Sequence, residues 1–343
     1  MNTVEDIQKL VGPALSESMD EWRAPLEITR GVYLLRMPMP FRLDHINLYI
    51  LEDTQGWTLV DCGLNNAESM AVWNEVFARF LGDKPVTRII VTHLHPDHIG
   101  LADWLQCKTK APIYITSPEW ELATALFELP TSDPARLSLH YQRLGLMGDR
   151  LQKTIKQASS FRTLIKKLPA KVNILNDREV LSIGGRRWQI FIGRGHSPAN
   201  ACLWDESERV LIAGDHILPS ITPNINLLTV GPSNPLDDYI KSLKEFRGVP
   251  CDLILPAHGS PTPRYRERID ELLGHHATHL DCLHAACTEE RTASDCVPFL
   301  FDSELPDHQF YFAIGESAAH LTYLAQYGRL KRTGDIPWKF VQP

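Results

Sequence analysis

The chain reads as a mixed α+β fold with a helical insertion and a small, mainly helical C-terminal domain. Three observations predict this. From residue 26 to about 263, short apolar strand patterns punctuated by Gly, Pro and Asp alternate with helical spacings. Residues 118–170 break that alternation with helical spacing alone, and from Arg264 onward the pattern is again helical, closed by one short hairpin. The predicted division is 1–25 as a helical extension, 26–263 as the main domain and 264–343 as the C-terminal domain, with Pro261 and Pro263 at the seam.

In chain order, Val4, Ile7, Leu10, Val11 and Ala14 fall on one face of a short amphipathic helix. Strands follow over 28–37, 47–52 and 57–61. Asn65 or Asn66 offers an N-cap to a helix running to Leu81, with Met70, Trp73, Val76, Phe77 and Phe80 inward. Arg88-Ile89-Ile90-Val91 is a buried strand, 98–107 a helix and 112–116 a further strand. In the insertion, Trp120, Leu122, Ala123, Leu126 and Phe127 mark one helix. Leu144, Met147, Leu151, Ile155, Ala158, Phe161, Ile165 and Leu168 mark a longer one. Short strands resume at 172–175, 179–183, 188–192, 201–204 and 210–213, with Gly184-Gly185 as a hairpin turn. A helix over 239–246 and a strand over 252–255 complete the main domain. The tail carries three helices, the second capped by Ser294 and the third over 313–327, then a hairpin. That order resembles a winged helix.

Composition bounds the function. The chain of 343 residues is 43% apolar and 22% charged, with a net charge of −7, which provides no global attraction for nucleic acid. No apolar run is long enough to span a bilayer. The N-terminal residues lack the basic segment and apolar core of a signal peptide. Seven cysteines without C-x-x-C spacing read as free thiols in a reducing, cytoplasmic compartment. Charge is uneven. Between Arg136 and Lys171 the basic residues are Arg136, Arg143, Arg150, Lys153, Lys156, Arg162, Lys166, Lys167 and Lys171, against the single acid Asp149. This is either a solvated helix face or a landing site for an anionic partner, with Lys153, Lys156, Lys166 and Lys167 as candidates.

The chemistry concentrates at Thr92-His93-Leu94-His95-Pro96-Asp97-His98, where four metal-capable side chains follow a buried strand. A helix cap would explain Asp97 but not three imidazoles. Three later strands share the same grammar. Residues 188–192 lead to Gly195-His196, 210–213 to Gly214-Asp215, and 252–255 to Ala257-His258. Strand ends at one edge of a sandwich can gather side chains into a single cleft.

These pieces, together with Leu59-Val60-Asp61-Cys62-Gly63, resemble the metallo-β-lactamase-fold hydrolases over about residues 26–263. The resemblance implies a four-layer αββα sandwich with its site at one edge, and the tail resembles the winged-helix-like extension of one branch. It implies that His93, His95 and His196 hold one divalent metal, that Asp97, His98 and His258 hold a second, and that Asp215 bridges them. Asp61 would orient the histidine loop from behind. Zinc is the expected ion, with iron or manganese as alternatives. A bridging hydroxide would serve as nucleophile, with Asp97 and Asp215 as catalytic carboxylates.

Two departures leave the ligand set whole: Asn200 stands near where a second histidine is frequent, and Ala257 replaces a frequent glycine. His95 argues against iron-dependent oxygen reductases, which carry glutamate there, and Asp215 against typical zinc β-lactamases. The expected reaction is hydrolysis of an ester or thioester, with an acyl group linked to coenzyme A, a carrier or glutathione. Phe41, Leu43, Ile221 and Leu227 are candidate pocket walls. The alternative is a nuclease or phosphodiesterase. A lactonase, a β-lactamase and a non-catalytic binding protein rank lower. A homodimer through the C-terminal domain is compatible with the pattern, and no membrane partner is expected.

Overall fold

The computed structural model describes residues 24–41, 43–127, 134–301 and 305–343, with backbone alone at 161–162. The expected N-terminal helix and the Phe161 and Arg162 side chains lie outside this description.

Fourteen strands and ten α-helices are described, and they form two sheets packed face to face, a helical layer on each outer side, and a small C-terminal hairpin. The first sheet contains β1 (Leu26–Thr29), β2 (Val32–Pro38), β3 (His45–Asp53), β4 (Gly56–Val60), β5 (Val86–Ile90), β6 (Ile113–Thr116) and β7 (Val172–Leu175), in sequential order. Its first four strands are antiparallel; from β4 to β7 they are parallel. The second sheet runs β12 (Leu253–Pro256), β11 (Val210–Gly214), β10 (Asn200–Asp205), β9 (Arg186–Gly193), β8 (Val180–Ile183). The β11–β12 pair is parallel and the others are antiparallel.

Strand alternation divides the apolar residues between three cores. Leu34, Tyr49, Leu51 and Val60 face Trp188, Ile190, Leu203 and Ile212 between the sheets. Their neighbours Leu35, Leu48, Ile50 and Leu59 face outward beneath the helices α1 (Ala67–Val76), α3 (Ala102–Thr109) and α4 (Ser117–Phe127). On the other side, Phe191, Cys202, Trp204 and Leu211 pack beneath α7 (Pro235–Phe246) and the C-terminal helices α8 (Tyr265–Ala286), α9 (Ala293–Leu300) and α10 (Asp307–Gln326). This is the αββα sandwich that the resemblance implied.

Several boundaries differ from the sequence reading. The strand expected over 28–37 is two strands, turned at Arg30-Gly31. Asn66 caps α1, accepting from the Ser69 backbone N–H at 2.7 Å, and the helix passes into a π-helical turn at Phe77–Leu81. The helix expected over 98–107 is α2 (Pro96–Ile99) followed by α3. The chain is pinned between them by Leu101 N–H donating to Gly63 O (3.1 Å) and Asn65 Nδ2 donating to Gly100 O (3.0 Å). The long helix of the insertion is also broken. Helix α5 (Pro134–Arg143) ends at a turn in which Gly145 has φ 97°, against Thr292 where a Cβ would clash, and α6 (Gly148–Arg162) follows. Leu144 and Leu151 therefore join the C-terminal core, whereas Ile165 and Leu168 turn back onto the first sheet's outer core. The cap of α9 is Thr292 rather than Ser294, in a reciprocal capping box with Asp295. The tail ends in the antiparallel pair β13 (Lys331–Thr333) and β14 (Lys339–Val341).

The insertion helix α6 packs on α10, so the C-terminal helices, the insertion and the second sheet share one core. All seven cysteines are free, and no helix among the described residues is long and apolar enough to cross a membrane.

The inter-sheet core provides a direct stability test. Leu203, fully buried between the sheets, should lose about 2–5 kcal/mol on replacement by alanine, as read by urea unfolding. The exposed Lys171→Ala change should shift stability by less than about 0.5 kcal/mol.

Candidate metal centre

Four strand ends deliver seven side chains to one edge of the sandwich. His93 and His95 lie in the loop after β5, and Asp97 and His98 in the short helix that follows. His196 follows β9, Asp215 follows β11 and His258 follows β12. Gly195 lets the His196 loop lie against α7: its φ is 105°, and a Cβ there would sit 2.3 Å from the Tyr239 Cβ. The edge is tied across the sheets by Ala201 N–H to Thr92 O (2.8 Å), Asn47 N–H to Ala257 O (2.7 Å) and Tyr49 O–H to Pro256 O (2.8 Å).

The side chains gather as two groups, His93, His95, His196 and Asp215 in one and Asp97, His98 and His258 in the other. Within each group the ligand-type atoms lie within 4.8 Å of one another. Asp215 faces both. Its Oδ2 is 3.4 Å from His196 Nε2, and its Oδ1 is 3.5 Å from both His98 Nε2 and His258 Nε2. Asp97 Oδ2 lies 3.3 Å from His258 Nε2 and 3.7 Å from His98 Nε2.

Hydrogen bonds behind the rings fix which nitrogen faces the centre. His98 Nδ1–H donates to Asp61 Oδ2 (2.8 Å), His258 Nδ1–H to His45 O (2.9 Å), His196 Nδ1–H to Asn224 O (2.9 Å) and His93 Nδ1–H to Thr92 Oγ1 (3.1 Å). Each Nε2 is left pointing inward. Asp61, whose φ of 66° turns it back beneath the loop, also accepts from Thr92 N–H (2.7 Å) and Thr92 Oγ1 (2.8 Å).

The donor set fits divalent metal ions. His95 Nδ1 lies 2.9 Å from His93 Nε2 and 3.0 Å from His196 Nε2. A single hydrogen on His95 Nδ1 can satisfy only one of those two lone pairs, whereas a cation satisfies all three. His98 Nε2 and Asp215 Oδ1 are buried without a hydrogen-bond partner among the described residues. The electrostatics divide in the same way. Burial first, and then neighbouring imidazoles, push His93 well below the usual imidazole range and His95 down to about 3, leaving neutral donors. Against the cost of burial, the His258 and His98 charges hold Asp215 well below the usual carboxylate range. Against the same cost, Asp215 and Asp97 raise His258 to about 10. His93 and His95 thus offer neutral donors, whereas, against the cost of burial, Asp61, Asp97 and Asp215 hold His98 and His258 in the protonated form, a positive charge that a divalent ion would replace.

The main omission of the sequence reading is Glu119. Its buried carboxylate accepts from Leu94 N–H (3.0 Å) and Ala199 N–H (2.6 Å), pinning the first histidine loop to the His196 loop. The available signal was an acid on the inward face of α4, one turn before Leu122 and Ala123. Asn200 also supports the centre. Its Nδ2–H donates to Ala213 O (3.1 Å), just before Asp215.

A cavity of about 1020 Å³ opens over the two groups. Phe41, Leu43 and Ile221 line it as expected, whereas Leu227 is buried in the core outside it. The four insertion lysines do not line it. Lys153 pairs with Asp307 (3.3 Å) and Lys167 with Asp103 (3.0 Å) at the surface, and Lys156 and Lys166 are exposed.

The support behind the rings can be tested by Asp61→Asn, which removes the carboxylate shared by Thr92 and His98. Metal affinity, read by competition with a chromophoric chelator, should fall about 10–100-fold, with little change in far-UV circular dichroism.

Comparison with known proteins agrees with this geometry. Residues 42–258 match the metallo-beta-lactamase superfamily, and residues 280–343 match the metallo-beta-lactamase-like C-terminal domain. A probable metallo-hydrolase of Bacillus subtilis, YqjP, is 24% identical over 86% of this chain and 92% of its own length. The crystal structure of a beta-lactamase domain protein from Burkholderia ambifaria is 34% identical, covers 96% of each chain and superposes with a TM-score of 0.85. A linear primary-alkylsulfatase of Pseudomonas is 25% identical over 65% of this chain and 43% of its own. With the family match spanning more than half its length, the two-sheet fold in place and the histidine–aspartate edge assembled, the chain belongs to the metallo-beta-lactamase superfamily and is a metal-dependent hydrolase.

Proposed function

We propose that the chain is a dinuclear enzyme that hydrolyses the ester or thioester bond of a substrate carrying a large apolar group. The observation that carries this reading is the cavity directly over the two ligand groups. Its walls include Met39, Phe41, Leu122, Leu126, Leu137 and Ile221. Among the described residues, no Lys or Arg side chain lines it. An acyl chain suits such walls, whereas the phosphates of a coenzyme or carrier would have to remain outside them.

In this reading His93, His95 and His196 would hold one ion, and Asp97, His98 and His258 would hold the other. Asp215, with one oxygen toward His196 and the other toward His98 and His258, would serve both. Zinc suits the nitrogen-rich set, and iron or manganese are the alternatives. Such a metal pair supplies Lewis acidity and a strongly acidified water at neutral pH. Asp97, on the cavity floor, orients the attacking water and takes its proton on a carboxylate oxygen. The water oxygen bonds to the acyl carbon, the carbon–sulfur or carbon–oxygen bond breaks, and the proton passes to the leaving thiol or alcohol. The hydrogen bonds behind His196, His98 and His258 keep the rings from turning as charge moves.

A second reading, hydrolysis of an alkyl sulfate ester, is favoured by the likeness to the alkylsulfatase and by the same apolar walls. A nucleic acid suits the site less well. Asp97, Asp215 and Glu316 face the cavity, and α10 carries no Lys or Arg. The seven free thiols suit a reducing, cytoplasmic setting.

The test is a panel of thioesters, carboxylic esters and alkyl sulfates of increasing chain length on protein of known metal content. Each buried methylene is worth about 0.8 kcal/mol, so kcat/KM should rise about fourfold per methylene until the cavity is filled. Activity should vanish on chelation, return with metal, and be absent in Asp215→Ala. A response flat with chain length would sink the proposed use of the cavity, and turnover of alkyl sulfates alone would assign the second reading. Lys166→Glu with Lys167→Glu should leave KM essentially unchanged; a tenfold rise would show that the anionic end of the substrate lands on the insertion.

A further inference from the structure

Outside the edge described above, α8 and α10 bring four histidines and a glutamate together. His275 and His279 stand one turn apart on α8, with ring centroids 3.9 Å apart. Glu316 reaches toward them from α10, and the ligand-type atoms of the three residues lie within 4.8 Å of one another. His275 Nε2 and His279 Nδ1 are buried atoms without a hydrogen-bond partner among the described residues.

The neighbouring pair shows how imidazoles are buried when hydrogen bonds do suffice. His320 Nδ1–H donates to Glu316 O (2.8 Å), and His276 Nδ1–H donates to His320 Nε2 (3.1 Å), leaving only His276 Nε2 without a partner. Among the described residues, no hydrogen bond reaches His275 Nε2 or His279 Nδ1. Burial pushes His279 down to about 4, so its ring is a neutral donor, and burial raises the Glu316 carboxyl to about 7, a cost that a nearby cation would remove.

We propose that His275, His279 and Glu316 form an additional site for a zinc-class divalent cation, separate from the centre at the sandwich edge. Two imidazoles one helical turn apart and a carboxylate from a second helix make a set that such ions favour, with a fourth position left for water. Both histidines are partly exposed, so the ion can enter from solvent. The site clips α8 to α10. It also reaches the edge centre through one residue: Asn224 Nδ2–H donates to Glu316 Oε2 (3.0 Å), and Asn224 O accepts from His196 Nδ1–H (2.9 Å). An ion held by Glu316 therefore steadies the loop that orients His196.

The experiment counts zinc by elemental analysis after loading and gel filtration. It compares the wild type, the His275→Gln/His279→Gln double variant and Glu316→Gln. The wild type should carry one more ion per chain than the double variant, with circular dichroism in chelator unchanged. Glu316→Gln keeps an acceptor for Asn224, so it decides the question even where the double variant does not fold. Its affinity at this site should fall at least tenfold in chelator competition. An Asp215→Ala/His93→Ala variant, with the edge centre disabled, should keep the additional ion, so the outcome does not depend on the proposed hydrolysis. Equal zinc content and equal affinity in the wild type and both site variants would overturn the proposal.

Discussion

His95 Nδ1 is held 2.9 Å from His93 Nε2 and 3.0 Å from His196 Nε2 in a buried edge, a crowding of lone pairs that a cation would relieve, and much of the main domain serves to hold the three rings there. The restraint comes from both sheets. Asp61, at the end of β4, gathers the backbone and hydroxyl of Thr92 and the ring of His98. Glu119, from the outer helical layer, gathers the backbone on either side of the cleft. The Thr92 and Ala257 carbonyls accept hydrogen bonds from the opposite sheet, so neither histidine-bearing strand end can shift alone. A site supported in this way is organised before metal arrives, which is the condition for tight binding with a defined geometry.

The walls of the cavity come from elsewhere. Met39 and Phe41 belong to the loop after β2, Leu122 and Leu126 to α4, Leu137 and Tyr141 to α5, and Tyr311 and Glu316 to α10. Ligand placement and substrate accommodation therefore reside on separate parts of the chain. The ligands sit on strand ends that any member of the fold must build, whereas the walls sit on the loop after β2, the insertion and the C-terminal helices. The shared core of α6, α10 and the second sheet makes the insertion an integral part of the molecule, and Arg150, Lys153, Lys156, Lys166 and Lys167 of the basic stretch are exposed on it. Lys153 and Lys167 are occupied with acids there, at Asp307 and Asp103.

Sequence periodicity located most elements because one face of each strand or helix must be apolar. Trp188-Gln189-Ile190 and Asn47-Leu48-Tyr49 follow from that rule. It failed at 144–168, where apolar spacing continues through a real break. Gly145 turns the chain, and the residues beyond α6 enter a different core, so equal spacing concealed two partners. It also failed at Glu119 and Glu316, acids on helices whose roles depend on what lies opposite. An acid on a helix face carries no local mark of the loop or ring it will meet.

The sequence by itself determined the donor types and their order along the chain: His93, His95, Asp97 and His98 on one loop, and His196, Asp215 and His258 each after its own strand. Local chemistry suffices for that, because strand ends and ligand residues are both written in adjacent positions. Only the tertiary structure decided that these ends meet, that Asp215 has one oxygen toward each group, that the cavity above them is apolar and that His275 and His279 meet Glu316. Those facts depend on the packing of two sheets and two distant helices, and contacts between residues far apart in sequence follow from the sum of all packing rather than from any stretch of it.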